Sequence, residues 1–175
     1  LTDGSQPVGR GIGPALEALD VLAVLQDAPG APDDLRRRAA TLAGAALEIG
    51  GKVASGEGTT AALASLANGR AWQKFQAICE AQGGLRNPPN ASNVHPLISP
   101  RAGRIVHINN RKLARLAKLA GAPEAKAAGV FMNVSLGQEI DKAQVMLDIH
   151  AETSGELAYA LEYAQRSPDI IEVEF

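Results

Sequence analysis

Residues 127–152, AAGVFMNVSLGQEIDKAQVMLDIHAE, decide the fold of the second half of the chain. Apolar residues alternate with other residues over 130–134 and again over 145–149, and this period of two predicts two half-buried strands. Between the two runs, Gly137 can adopt backbone angles that other residues avoid. The polar residues around Ile140 therefore predict a short third strand or a wide turn.

This pattern, with Gly137 and Gln138 between the two strands, resembles the small β-barrel sandwich that also carries biotin or lipoate in carrier proteins. Such a carrier attaches its cofactor to a lysine at a hairpin tip, and no lysine stands at that position here. The sequence therefore favours a structural barrel. A non-enzymatic binding or carrier module is the alternative, and a mass increase after expression with a biotin or lipoate ligase would support it.

Composition limits the classes of function. A length of 175 residues suits one domain plus part of another, or two small domains. Because 17 Lys and Arg face 19 Asp and Glu, no bulk charge attracts nucleic acid or an anionic membrane. The single cysteine, Cys79, rules out an internal disulfide framework and favours a reducing, cytoplasmic location. The first residue is not methionine, which suggests a piece of a longer chain.

The first half is predicted to be mainly helical. Pro14 suits the first position of one helix, and Asp33 and Asp34 suit the positive start of a second helix. A third helical region begins near Thr59, breaks at residues 68–69 and resumes over residues 70–82. The buried stripe predicted for the second helix consists of Leu35, Leu42, Ala46 and Ile49.

After a proline-rich stretch with linker composition, residues 86–100, strands and helices mix and predict an α+β fold. Residues 103–108 predict a strand, and residues 170–175 predict an edge strand. Asn109 suits the cap of one helix, and Thr153 or Ser154 the cap of another.

Several residue groups suggest chemistry, but each has a simpler structural interpretation. Glycines at 9, 11 and 13 before a helix could cradle an anion, although a tight turn is the favoured interpretation. Glu17 and Asp20 share a helix face and could hold a cation, but a solvated face is more common. Cys79 on an apolar helix face predicts an inert buried thiol. No metal spacing links the three histidines, so surface or interface roles are expected for His107 and His150.

The helix after Asn109 has a basic side, formed by Arg111, Lys112, Arg115 and Lys118. Such a side could touch phosphate groups. Few aromatic residues accompany it and the net charge is slightly negative, so nucleic-acid binding is not favoured.

Two stretches resemble the thymidine and pyrimidine-nucleoside phosphorylases. Residues 1–25, LTDGSQPVGRGIGPALEALDVLAVL, are similar to the strand, loop and helix near the middle of those enzymes. Residues 101–153, with RAGRIVHINNRKLARLAKLAGAP and AAGVFMNVSLGQEIDKAQVMLDIHAET, are similar to their C-terminal domain. The variants here most resemble the longer bacterial thymidine phosphorylase branch, which is close to archaeal AMP phosphorylases.

This resemblance implies a fold and its domains. Residues 1–85 would be the mostly helical part of a truncated α/β domain, and 86–98 a linker. Residues 99–175 would form a small α/β hammerhead-like barrel-sandwich domain.

The resemblance also implies an activity. The parent enzyme would be a pentosyltransferase of pyrimidine metabolism and nucleoside salvage, in which inorganic phosphate, as co-substrate, attacks thymidine to give thymine and 2-deoxyribose 1-phosphate. Its catalytic signatures, S-G-R-G-L and T-G-G-T-x-D, are absent from this chain. The chain would therefore hold no catalytic residue and no cofactor, and would be inactive alone. Phosphorolysis of nucleoside monophosphates of the AMP type is the alternative within the enzyme class.

Some members of the resembled family bind a monovalent cation, K⁺, through two backbone carbonyls and a carboxylate. Matching the motif places these groups at Val8, Gly11 and Asp20, with Asp in place of the usual Glu. Most of that site would lie upstream, so no K⁺-selective rise in melting temperature is expected for this chain. The resemblance further implies a parent homodimer, built by a helical domain outside this chain, and self-association of this chain through uncovered helices.

Overall fold

The computed structural model describes residues 3–174. These residues form six α-helices and two antiparallel sheets, which confirms the predicted α+β class. They divide into two compact units, the first comprising residues 3–18 and 88–174 and the second residues 19–87. Helix α1 (Pro14–Leu25) contributes residues to both units. The domain boundaries that the resemblance implies, at residues 85 and 98, stay a prediction. In this chain, residues 3–18 pack within the first unit.

One sheet of the first unit contains the strands predicted from the alternating pattern. Val130 lies opposite Ile149 and Met132 lies opposite Leu147, and all four side chains are buried, as predicted. The strands lie in the order β1-β4-β6-β2. Their bounds are Gly11–Ile12 for β1, Asn93–Ile98 for β2, Gly129–Met132 for β4 and Val145–Ala151 for β6.

The second sheet has the order β5-β3-β7. Ile105 lies opposite Val173, and Ile140 of the predicted short third strand is buried. Residues 171–174 confirm the predicted final strand, while Phe175 lies outside the described residues. The bounds are Gly103–Ile108 for β3, Glu139–Ile140 for β5 and Ile171–Glu174 for β7.

Strand β2 lies where composition indicates a linker. Residues 93–98 pair with β6 at the edge of the first sheet, and Pro96 lies opposite Asp148. An edge strand tolerates proline because one row of its backbone groups faces away from the sheet. The prolines of this stretch therefore mark an edge strand as well as a connection.

Helices α5 (Asn110–Leu119) and α6 (Ser154–Arg166) complete the first unit. The Asn109 side chain accepts a hydrogen bond from the amide of Lys112, which confirms the predicted cap. Thr153 forms a capping box with Glu156. The helices bury Leu113, Leu116, Ala117 and Ala160 in the core that the two sheets share.

Removing the α6 cap gives a first test of this fold. Thr153→Ala removes the hydroxyl that accepts from the Glu156 amide and donates to the Glu156 carboxylate, so we expect the free energy of unfolding to fall by about 1 kcal/mol. Urea denaturation measures the change. The neighbouring Ser154→Ala is the matched control, because the Ser154 side chain is exposed and makes no hydrogen bond within the described residues. Equal losses in the two variants would contradict the capping role.

The second unit is helical and contains α2 (Asp33–Ile49), α3 (Gly58–Ala67) and α4 (Arg70–Ala81). Helices α2 and α3 approach each other through glycines. A Cβ atom added to Gly58 would lie 2.2 Å from the carbonyl oxygen of Gly44. The amide of Gly58 also donates to Glu48 Oε1 at 2.8 Å. Backbone therefore packs on backbone at this crossing.

The buried stripe predicted for α2 is wrong. Ala40 and Gly44 are buried, whereas Leu42 is 60% exposed and Ile49 is 90% exposed. Close approach to α3 requires small residues, so the small side of α2 faces its neighbour. Helix α4 has no fully buried residue, and Cys79 is half-buried rather than buried. Exposed large apolar residues of this unit are Leu19, Val21, Leu42, Ile49, Leu63, Ile78 and Leu85.

Candidate functional site

The glycine-rich segment before α1 is fixed to the first unit by hydrogen bonds from three directions. Gln6 Oε1 accepts from the amide of Leu136 at 2.7 Å. The carbonyl of Gly4 accepts from Asn110 Nδ2 at 2.8 Å, and the carbonyl of Arg10 accepts from the amide of Met132, also at 2.8 Å. This segment, residues 3–13, is thus anchored to α5 and to the strands around β4.

The start of α1 contacts the backbone just before β4. Gly13 has φ of +132°, and a Cβ atom there would lie 2.3 Å from the carbonyl oxygen of Ala128. The amide of Ala15 donates to the carbonyl of Lys126 at 3.0 Å. The last glycine of the G-x-G-x-G pattern is therefore required by a close backbone approach.

The amides of Gly13, Ala15 and Glu17, at the start of α1, are already used inside the chain. The amide of Gly13 donates to Glu17 Oε1 at 3.0 Å, and the amide of Glu17 donates to the carbonyl of Gly13 at 2.9 Å. Pro14 has no amide hydrogen, and the amide of Ala15 is bonded to Lys126. The carboxylate of Glu17 thus lies where an external anion would bind, which supports the tight-turn interpretation.

The residues expected to hold a cation lie in both units. Val8 and Gly11 belong to the first unit, where Val8 is half-buried and Gly11 is buried opposite Phe131. Asp20 belongs to the second unit and is only 7% exposed. Two carbonyl oxygens and a carboxylate suit a hard cation. The site stays a prediction. The expectation of a solvated face holds for Glu17, which is exposed, and is wrong for Asp20.

The three histidines differ in their surroundings. His95 and His107 are exposed, whereas His150 on β6 is half-buried. Burial lowers the pKa of His150 below its ordinary value of 6.5, and the nearby Asp148 carboxylate opposes that shift. Within residues 3–174, no group of three or more His, Cys, Asp or Glu side chains is arranged to hold a metal ion.

The lowered pKa of His150 predicts a pH dependence of stability. The unfolded chain binds a proton near pH 6.5, while the folded chain resists it, so stability falls as the pH drops from 6.5 towards the folded pKa. We expect His150→Gln to flatten this part of the curve. Urea denaturation between pH 5.0 and 8.0 measures it, with exposed His95→Gln as the matched control. An unchanged slope in His150→Gln would contradict the assignment.

The end of β6 argues against a swinging-arm carrier. The strand ends at Ala151, and Thr153 caps α6, so a helix start follows the strand. Lys142 lies between β5 and β6, but those strands belong to different sheets. The lysine therefore is not at the tip of a hairpin formed by paired strands.

Two of the four basic side chains on α5 have partners within the first unit. Lys112 forms an ion pair with Asp169, and its hydrogen bond holds the pKa of that carboxyl below the ordinary value. The Arg115 guanidinium lies 5.4 Å from the centre of the Tyr163 ring. These contacts support a structural role for this side of the helix.

Sequence reasoning missed the roles of Gln6 and Glu17. Glu17 follows Pro14 by three residues, a spacing that could have indicated a carboxylate at the helix start. Gln6 and Leu136 are 130 positions apart in the chain, so no local pattern predicts their bond.

Of the helices in the described part of the chain, none is long and apolar enough to cross a membrane.

The chain is closely similar to bacterial proteins named "Putative thymidine phosphorylase". It is 76% identical over 173 residues to one from Chelativorans sp., covering 99% of this chain and 34% of that protein. It is 57% identical over 174 residues to one from Parvibaculum lavamentivorans, with the same coverage. A protein from Acidovorax sp. named "Putative thymidine phosphorylase 2" is 55% identical over 173 residues, which cover 99% of this chain and 34% of that protein.

No model of a known protein family matches the chain. The alignments with these relatives nevertheless cover 99% of the chain. The chain spans about a third of the length of these relatives. By sequence, the chain is therefore closely similar to about a third of these proteins named putative thymidine phosphorylase.

Proposed function

We propose that this chain is the C-terminal part of a thymidine phosphorylase, a cytoplasmic pentosyltransferase of nucleoside salvage. The 76% identity to the Chelativorans protein carries this proposal. The parent would bind a pyrimidine nucleoside and inorganic phosphate, and would release the base and a pentose 1-phosphate. Neither nucleic acid nor a membrane is proposed as a partner.

The chemistry of this reaction assigns the chain a supporting role. Phosphorolysis needs groups that position phosphate and stabilise the departing base. The Gly13 and Ala15 amides at the start of α1 bond to groups within the chain, namely Glu17 Oε1 and the Lys126 carbonyl. We therefore assign phosphate binding and base activation to the rest of the parent. The first unit would hold residues 3–13 in a fixed conformation, next to which a K⁺ ion would bind through Val8, Gly11 and Asp20.

The test compares this chain with the complete Chelativorans protein. Phosphate-dependent release of thymine from thymidine is measured for both, and adenine release from AMP is measured in parallel. We expect thymine release by the complete protein alone. Activity in this chain would contradict the assignment of the catalytic groups. Release of adenine but not thymine by the complete protein would replace the proposal with an AMP-type phosphorylase.

We also propose that this chain self-associates through the second unit. Leu42 and Ile49 on α2, with Ile78 on α4, leave large apolar side chains in contact with water. Exposed apolar patches of this kind commonly pack against a partner. In the parent, a homodimer is proposed through the missing helical domain. Sedimentation of this chain at rising concentration tests its self-association. A single monomeric species at every concentration would contradict that proposal.

A further inference from the structure

A cleft in the helical unit combines an apolar floor with a positively charged rim. The cleft has a volume of about 710 Å³ and lies among α2, α3 and α4. Leu47, Val53 and Phe75 line it and are half-buried. Pockets for small molecules commonly have mostly apolar walls, a few polar groups and a volume of this order.

Three cations line the same cleft. Lys52, Arg70 and Lys74 are all exposed, and no carboxylate is among the lining residues. Within the described residues, the ion pairs are formed by other basic side chains. In a chain of net charge −2, the cleft is thus a local excess of positive charge without an internal counter-ion.

An aromatic ring pair lies at the floor of the cleft, with one of its two rings in the lining. The Trp72 and Phe75 rings stack with centroids 6.0 Å apart and an interplanar angle of 24°. Phe75 lines the cleft, and Trp72 supports its ring. Ser65 adds a hydroxyl group to the lining. A planar apolar body could lie along Phe75 while an attached anion reaches the cations at the rim.

We propose that this cleft binds a small amphipathic anion, an organic phosphate or carboxylate that carries a planar apolar ring. The apolar floor would contact the ring of such a ligand. The cations without an internal counter-ion would pair with its negative charge. The inference goes beyond the proposed phosphorolysis and uses none of the residues assigned to it. Its failure would leave that function untouched.

Trp72 is the only tryptophan, so its fluorescence reports on the cleft of the full chain. The probes are phenyl phosphate and benzoate, with phenol and inorganic phosphate as counterparts that lack the charge or the ring. We expect a saturable change with one or both aromatic anions, and much weaker effects from phenol and inorganic phosphate. Comparison of the two aromatic anions distinguishes phosphate from carboxylate recognition. Added salt should weaken binding, because exposed charges are screened.

Variants locate the binding. Arg70→Gln and Lys74→Gln should each weaken binding roughly tenfold, as expected for loss of a charge-assisted hydrogen bond. Lys142→Gln, an exposed lysine of the other unit, is the matched control and should bind like the parent chain. Far-UV circular dichroism checks that the variants fold, and amide chemical shifts of Ser65 and Ala71 give a second readout in the unmodified chain. No saturable change, equal binding of phenol, or equal weakening by Lys142→Gln would overturn the proposal.

Discussion

Gly13→Ala is expected to destabilise the first unit strongly. The added methyl group would lie 2.3 Å from the carbonyl oxygen of Ala128, and alanine would have to adopt φ of +132°. Steric overpacking and an unfavourable backbone conformation together predict a loss of roughly 2–5 kcal/mol. The free energy of unfolding of a domain is commonly only about 5–15 kcal/mol, so this loss would be a large share of it.

The loss has a specific structural location. If the backbone moves to relieve the overlap, the start of α1 separates from Ala128 and the bond between Ala15 and Lys126 is lost first. Hydrogen exchange should therefore rise at Ala15 and in the β1–β4 pair, while urea denaturation gives the total loss. Gly155→Ala is the matched control. Nothing lies within 4 Å of a Cβ atom there, and alanine favours a helix, so we expect a gain of up to about 1 kcal/mol. Similar stability in both variants would contradict the close approach at Gly13.

Local patterns predicted those parts of the fold that local physics controls. Alternation over 130–134 and 145–149 gave the central strands, because a half-buried strand must place every second side chain inside. Asn109 is predicted as one cap, and Thr153 or Ser154 as another, because such side chains can satisfy free helix amides; the structure shows Asn109 and Thr153 as the caps. Each of these features depends on residues close together in the sequence.

Features that depend on distant residues were not predicted. Strand β2 forms because β6 offers it a free edge, and its prolines by themselves indicate a linker. The anchored segment before α1 depends on Gln6 reaching Leu136, and the cation-lined cleft depends on Lys52 lying near Lys74. The sequence favours a tight turn over an anion cradle at residues 9–13, yet only the structure shows Glu17 bonded to the Gly13 amide.

The crossing of α2 and α3 illustrates the same limit. The predicted stripe of Leu42 and Ile49 followed the rule that large apolar residues are buried, but the contact is made by Gly44 and Gly58. Small residues permit a close approach of two helices only when both helices carry them at the point where the helices cross. The second glycine is 14 positions away, on the next helix.

Gly58→Ala is accordingly expected to destabilise the second unit. The new methyl group would lie 2.2 Å from the carbonyl oxygen of Gly44 and 2.7 Å from Glu48 Oε1, the acceptor of the Gly58 amide. Pushing the helices apart would weaken that hydrogen bond as well, so we expect a loss of roughly 2–4 kcal/mol. The fluorescence of Trp72, which lies in this unit, follows the transition during urea denaturation. Thr60→Ala, at an exposed position on the same helix, should change stability by no more than about 0.5 kcal/mol. If Gly58→Ala also stays within that range, the two helices do not meet backbone to backbone.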